Sequence, residues 1–313
     1  MATSKSAPYR ILSIDGGGIR GIIPLVILDR LEAVAPDWRD GIAMYAGTSS
    51  GGLIALCLAN GMRPRDILDL YVTKGPAVFD RSLWHEIRNI DDLMGPKYDS
   101  DHRLALCETA LGTSRRLGEL KSHVLITAFD LDDRSQPDAA KRFWKAKIFH
   151  NMPTDDPKDT DVSEYAYRVA MRTSAGPTYF SSYDGFVDGG VFANNPGMCA
   201  LAQTQDPRLV QPIPFESVRM LSIGTGFYPF CLRGGENWGL AQWAPHFVPM
   251  LMDGVNEVAD FQVRTMLTES RYCRVRPWLK SDIPLDAASQ VGALQAIGTQ
   301  VDIDAASAFI RTW

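Results

Sequence analysis

The sequence predicts an α/β fold, and three observations carry that expectation. A β-type run at residues 10–14 feeds a glycine-rich turn and then an apolar helix-forming segment. A second run at 42–46 does the same through a second glycine turn, and a third apolar run at 217–226 ends in another such turn. Strand-like and helix-like segments in alternation describe a sheet covered by helices. At 313 residues and 45% hydrophobic, the chain has the length to bury a large core.

Charge and cysteine usage narrow the classes. There are 32 basic and 37 acidic residues, a net charge of −5, which argues against an extended nucleic-acid footprint. The five cysteines are widely spaced without a C-x-x-C pair, so neither a disulfide framework nor a zinc finger is expected, and a reducing cytoplasm fits best. The first ten residues carry no apolar signal segment, and no run approaches the roughly 18 apolar residues of a membrane span. The expectation is an intracellular protein that is free to visit a membrane surface. No internal repeat or low-complexity tract is present.

The first turn comprises Asp15, Gly16, Gly17, Gly18, Ile19, Arg20 and Gly21. It leads into a helix with Ile23, Leu25, Val26, Leu28 and Leu31, and Pro24 sits near the start, where a missing donor is tolerated. Gly16, Gly18 and Gly21 also satisfy G-x-G-x-x-G, so a dinucleotide-dependent oxidoreductase is one reading. It requires an acid closing the second strand about 20 residues on. Glu32, Asp37 and Asp40 all precede that strand. The other use of such a turn is to present backbone N–H groups to a developing oxyanion. Gly17 and Gly18 are the candidates, with the amide of Ser50 a further one. Arg20 reads equally as a cation for a phosphate or carboxylate and as a solvated helix-start side chain.

Gly47, Thr48, Ser49, Ser50 and Gly51 fit G-x-S-x-G, which holds a serine on a sharp strand-to-helix turn with its hydroxyl exposed. The candidate nucleophile is Ser49. Gly47 and Gly51 permit the close strand–helix approach, and Ser50 has a plainer reading as a helix cap. A helix follows to about residue 60, and another spans 64–74. Residues 79–97, with Phe79, Trp84, Ile87 and Met94, read first as an amphipathic connection packed on the core, and otherwise as a pocket cover or membrane contact. A helix at 101–111, strands at 123–130 and 141–150, a polar loop at 153–161 and a helix at 162–173 come next.

Asp188 closes a short strand and precedes Gly189 and Gly190. A serine hydroxyl needs a base to take its proton as it attacks. Asp188 is the candidate, ahead of Asp184, which precedes the strand, and Asp15, which reads as pinning the first turn. His246 is the only late histidine; lacking motif context, it reads as a core or loop residue rather than a triad member. The other histidines show no metal-ligand spacing, so no metal and no cofactor are expected. Residues 238–252 read as pocket wall or as ordinary core, 253–269 as a helix and 272–275 as a strand. The helix at 303–313 carries Phe309 and Trp313 for self-association as a homodimer, or docks them back on the fold.

Together these stretches resemble the patatin-like phospholipase family. The first turn is similar to its oxyanion loop, residues 47–52 to its nucleophile elbow, Asp188-Gly189-Gly190 to its acid motif, and residues 172–180 to the segment before that acid. The resemblance covers about residues 10–226. It implies one domain over 1–313 with a C-terminal helical extension, and a three-layer α/β/α fold around a mostly parallel sheet. It also implies a Ser49–Asp188 dyad hydrolase acting through an acyl-enzyme on phospholipids or related lipids, of phospholipase A type, with transient membrane contact. A carboxylesterase of small esters and a non-catalytic lipid-binding module are the alternatives. Some bacterial members look like antiphage effectors switched on by a cyclic nucleotide. That analogy adds such an activator to the expected partners, although no nucleotide-binding motif stands in the sequence.

Overall fold

The computed structural model describes residues 7–80, 95–231, 234 and 237–313. Its frame is a seven-stranded sheet built from β1 (Tyr9–Ile14), β2 (Ile42–Thr48), β3 (His123–Asp130), β4 (Lys145–His150), β5 (Phe186–Asp188), β6 (Val218–Ile223) and β7 (Tyr272–Val275). The order is β4-β3-β2-β1-β6-β7, with β1, β2, β3, β6 and β7 parallel and β4 and β5 antiparallel to β3. Parallel strands are covered on both faces and therefore read as apolar runs.

Alternation along each strand divides the core in two. Leu12, Ile14, Tyr45, Val124, Ile126, Leu221 and Ile223 join the larger cluster, whereas Ile11, Met44, Ala46, Leu125, Val218 and Met220 join the other. The larger cluster is roofed by α1 (Ile22–Val34), α2 (Ser50–Ala59), α3 (Pro64–Val78), α4 (Asp101–Leu111), α5 (Ala166–Thr173), α9 (Val291–Gln300) and α10 (Asp304–Thr312). The opposite face packs α7 (Gly197–Thr204) and α8 (Leu240–Leu267), and the short α6 (Gly190–Ala193) sits between β5 and α7 in the chain. The architecture is a three-layer α/β/α sandwich around a mostly parallel sheet. α2 is buried along its whole length, so the turn that starts it is held from all sides.

Several expectations change in detail. The strand expected at 141–150 begins only at Lys145, because residues 139–141 close a 3-10 turn. The helix expected from 162 begins at Ala166, after Arg116 and Tyr165 form a β-bridge. The segments expected as 238–252 and 253–269 are one 28-residue helix, α8. Phe309 and Trp313 are buried, with Trp313 against Trp38, so the last helix docks back and does not offer them for self-association. Within the 79–97 stretch, the reading of 81–94 as connection or cover lies outside the described residues; Phe79 packs on Tyr98 and Phe180. Among the described residues, no helix is long and apolar enough to cross a membrane.

Candidate active site

β2 ends at Thr48, and the chain turns at once into α2. Ser49 occupies that corner with φ 56° and ψ −126°, a strained backbone for a side-chain-bearing residue. The turn is this tight because the neighbouring glycines face backbone. A Cβ on Gly47 would lie 2.2 Å from the Gly51 carbonyl oxygen, and one on Gly51 would lie 2.4 Å from that of Ile14. The Ser49 N–H donates to Thr173 Oγ1 at 2.8 Å, which ties the corner to the end of α5. Ser50 opens α2, but its buried hydroxyl has no partner among the described residues, so it is not a cap.

The position of Asp188 follows from strand pairing. β4 occupies one edge of β3 at residues 125–130, so β2 and β5 must share the other. β2 holds that edge as far as Thr48↔Thr127, where it leaves for the corner, and β5 takes the next position with Asp188↔Ala128. The acid therefore ends up beside the serine corner, where it lines the same cavity as Ser49 and where Ser49 favours its ionised form. Gly189 makes this approach feasible: a Cβ there would lie 2.2 Å from Thr127 Oγ1 and 2.5 Å from the Thr127 backbone. The Gly190 N–H donates to Asp188 Oδ1 at 2.7 Å.

Burial pushes the Asp188 carboxyl up to about 6, against the lowering effects of Ser49, the Gly190 N–H and the Arg103 guanidinium. Arg103 is itself buried, which pushes it down to about 10, and it donates to the Met171 carbonyl at 3.0 Å.

The glycine turn after β1 is braced on several sides. The Gly16 N–H donates to the Asn194 carbonyl at 3.0 Å, Ile19 N–H to the Leu285 carbonyl at 2.8 Å, and Arg20 N–H to the Gly17 carbonyl at 3.0 Å. The Gly16 carbonyl accepts from Thr225 Oγ1 at 2.7 Å. Among the described residues, the N–H groups of Gly17, Gly18 and Ser50 have no protein acceptor, which leaves three donors for a ligand. Asp15 pins the turn through a bidentate pair with Arg274 at 2.8 and 2.5 Å. Although burial disfavours its charge, Arg274 is held above the ordinary arginine range by Asp15. Burial lowers Arg20, opposed by the carboxylates of Asp253 and Asp282, and Arg20 makes no ion pair among the described residues.

One cavity of about 210 Å³ joins these parts. Gly17, Gly18, Ser49, Ser50, Asp188 and Gly190 line its polar end, and Ile19, Leu53, Val78, Phe79, Leu106 and Phe180 line the rest, which is almost wholly apolar. Leu251 and Met252 of α8 also line it, so part of residues 238–252 is pocket wall. His246 does not; it stacks between Phe230 and Trp238. β2 ends without the acid that a dinucleotide site requires. Sequence reasoning gave no role to Arg103, Thr173, Asn194, Thr225, Arg274 or Leu285; Thr173 lies in the family-like segment 172–180 and Thr225 in the turn after the run at 217–226, but neither signal says what the side chain holds.

A sequence model of the patatin-like phospholipase family matches residues 12–200. The chain is 29% identical to patatin-like protein 2 of Arabidopsis thaliana, over 85% of this chain and 75% of that one. It is 28% identical to the putative sporulation hydrolase CotR of Bacillus subtilis, over 75% and 68% of the two chains. Among solved structures it is similar to VipD from Legionella pneumophila, at 12% identity and a TM-score of 0.38, covering 92% of this chain and 67% of that one. With the family model spanning more than half of its length, the chain belongs to the patatin-like phospholipase family.

Proposed function

We propose that the protein is a lipid acyl hydrolase in which Ser49 is the nucleophile and Asp188 its general base. The observation that carries this reading is that Ser49 and Asp188 line the polar head of one largely apolar pocket, with Ser49 favouring the ionised carboxylate. Ser49 Oγ attacks the ester carbonyl carbon while its proton passes to Asp188. The carbonyl oxygen becomes an oxyanion and accepts from the N–H groups of Gly17, Gly18 and Ser50. Collapse breaks the ester bond, and the leaving alcohol or lysolipid takes the proton from Asp188. Water then attacks acyl-Ser49, giving its proton to Asp188; collapse frees the fatty acid, and Ser49 recovers its proton. A carboxyl near 6 is ionised at neutral pH yet basic enough to accept a proton in flight.

The apolar wall supports a long acyl chain over a small ester, since a short acyl group would leave most of it unfilled. The family supports lipid esters as the class of substrate. The test measures fatty-acid release from diacyl phospholipid vesicles and from nitrophenyl esters by wild type, Ser49→Ala and Asp188→Asn, with a fluorophosphonate label on each. Wild type should release fatty acid and be labelled at Ser49, and both variants should lose at least about a hundredfold in rate. Turnover that survives Ser49→Ala would end the proposal.

A further inference from the structure

The amino-terminal half of α8 is apolar on the outside. Leu240 is 78% exposed and Leu251 54%, with Phe247 and Met250 also exposed. Just before the helix, Phe230 is exposed as well, and it builds an aromatic cluster with Trp238, Trp243 and His246 at centroid separations of 5.3 to 5.7 Å. Residues 238–252 contain no Asp, Glu, Lys or Arg. Charge resumes at Asp253 and continues with Glu257, Asp260 and Arg264. The change falls one residue beyond Leu251 and Met252, the two that line the pocket.

We infer that this half of α8, with the aromatic cluster beside it, docks on a neutral lipid surface and seats the pocket mouth against it. The inference rests on the lipid-hydrolase reading, because it names how that site meets its substrate. Three features select a bilayer over a protein partner. The exposed stripe is continuous with the pocket, since Leu251 is both surface and lining. A second copy or other protein seated there would cover the entrance, whereas a bilayer would feed it. Trp and His beside Leu, Phe and Met supply the mixed apolar and polar character of an interfacial element. The absence of basic residues within 238–252 points to a zwitterionic rather than anionic surface. At about 1.5 Å per residue the uncharged turns span roughly 20 Å, short of the roughly 30 Å of a hydrocarbon core, so the helix lies in the interface and does not cross it. From the pocket wall at Val191 the apolar surface runs on through Phe192 and Phe129 to Trp144, which is 70% exposed.

The experiment compares wild type, Ser49→Ala and a Leu240→Glu/Phe247→Glu variant for sedimentation with phosphatidylcholine vesicles, for hydrolysis of vesicle lipid and for hydrolysis of a soluble nitrophenyl butyrate. Neither substituted position lines the pocket. Wild type and Ser49→Ala should bind vesicles alike. The double variant should lose about tenfold or more in vesicle binding and vesicle hydrolysis while its butyrate rate stays within about twofold. A Leu240→Gln/Phe247→Gln variant repeats the comparison without added charge, with thermal unfolding as the check on folding. Equal vesicle binding by wild type and both variants overturns the inference, as does a wild type that fails to sediment. If wild type hydrolyses neither substrate but binds vesicles through these two residues, docking stands and the hydrolase reading falls.

Discussion

Under the proposed mechanism, Asp188 is where function and stability oppose each other. Its folded pKa of about 6 lies above the unfolded value near 4. The folded state therefore holds the proton more tightly. The stability this provides is full below about pH 4 and is lost as pH rises through about 6. At pH 8 the buried carboxylate is a cost, and Asp188→Asn should raise the unfolding free energy by about 1–2 kcal/mol in urea titrations while abolishing hydrolysis. Catalysis has the opposite sign, because only the ionised form accepts a proton. The rate on a soluble ester should fall about tenfold per pH unit below about 6. Arg103 favours the carboxylate, so Arg103→Met should move that limb to higher pH; an unmoved limb would remove Arg103 from the tuning of the site.

Two elements set the geometry at the next scale: the corner between β2 and α2, and the edge of β3 that β2 and β5 share. The corner is backbone packed on backbone, so Gly51→Ala must force apart α2 and the end of β1, which chemical denaturation should register as a loss of about 3 kcal/mol. Thr173→Val tests the same corner more gently. It leaves the Ser49 N–H without its acceptor and should cost about 1–3 kcal/mol, with a fall in kcat larger than any change in KM. The corner was legible in the sequence because its two glycines and serine are neighbours in the chain. The shared edge was not, since the motif at 188–190 names an acid without saying which strand it will pair with. α8 was read as two segments because 238–252, rich in aromatics and Met, reads as pocket wall or core, whereas 253–269 suits a helix. Packing of Val263 and Leu267 against the sheet accounts for only its far half.

Across the whole molecule, the region after residue 200 braces a site whose motifs all precede it. Arg274 on β7 holds Asp15, Thr225 holds the Gly16 carbonyl, and Leu285 holds the Ile19 amide. Arg274→Met would leave a carboxylate buried without its partner and should cost about 3–5 kcal/mol, measured by thermal or urea unfolding. Pairing it with Asp15→Asn should recover most of that loss, because the orphaned charge is then gone. These braces escaped the sequence reading for a physical reason: each depends on sheet order, in which β1 lies between β2 and β6 and next but one to β7. A motif records what neighbours in the chain do, and an ion pair spanning 259 residues records what the sheet does.

That dependence gives the protein a sense of time. As a ribosome makes the chain from its amino terminus, the serine corner and its acid emerge well before Arg274 and Leu285 do. Until those last braces arrive, the glycine turn has its bonds to Asn194 but lacks those that Arg274 and Leu285 supply. In the newborn chain the serine corner is therefore complete in sequence before the bracing of the donors beside it is complete in space.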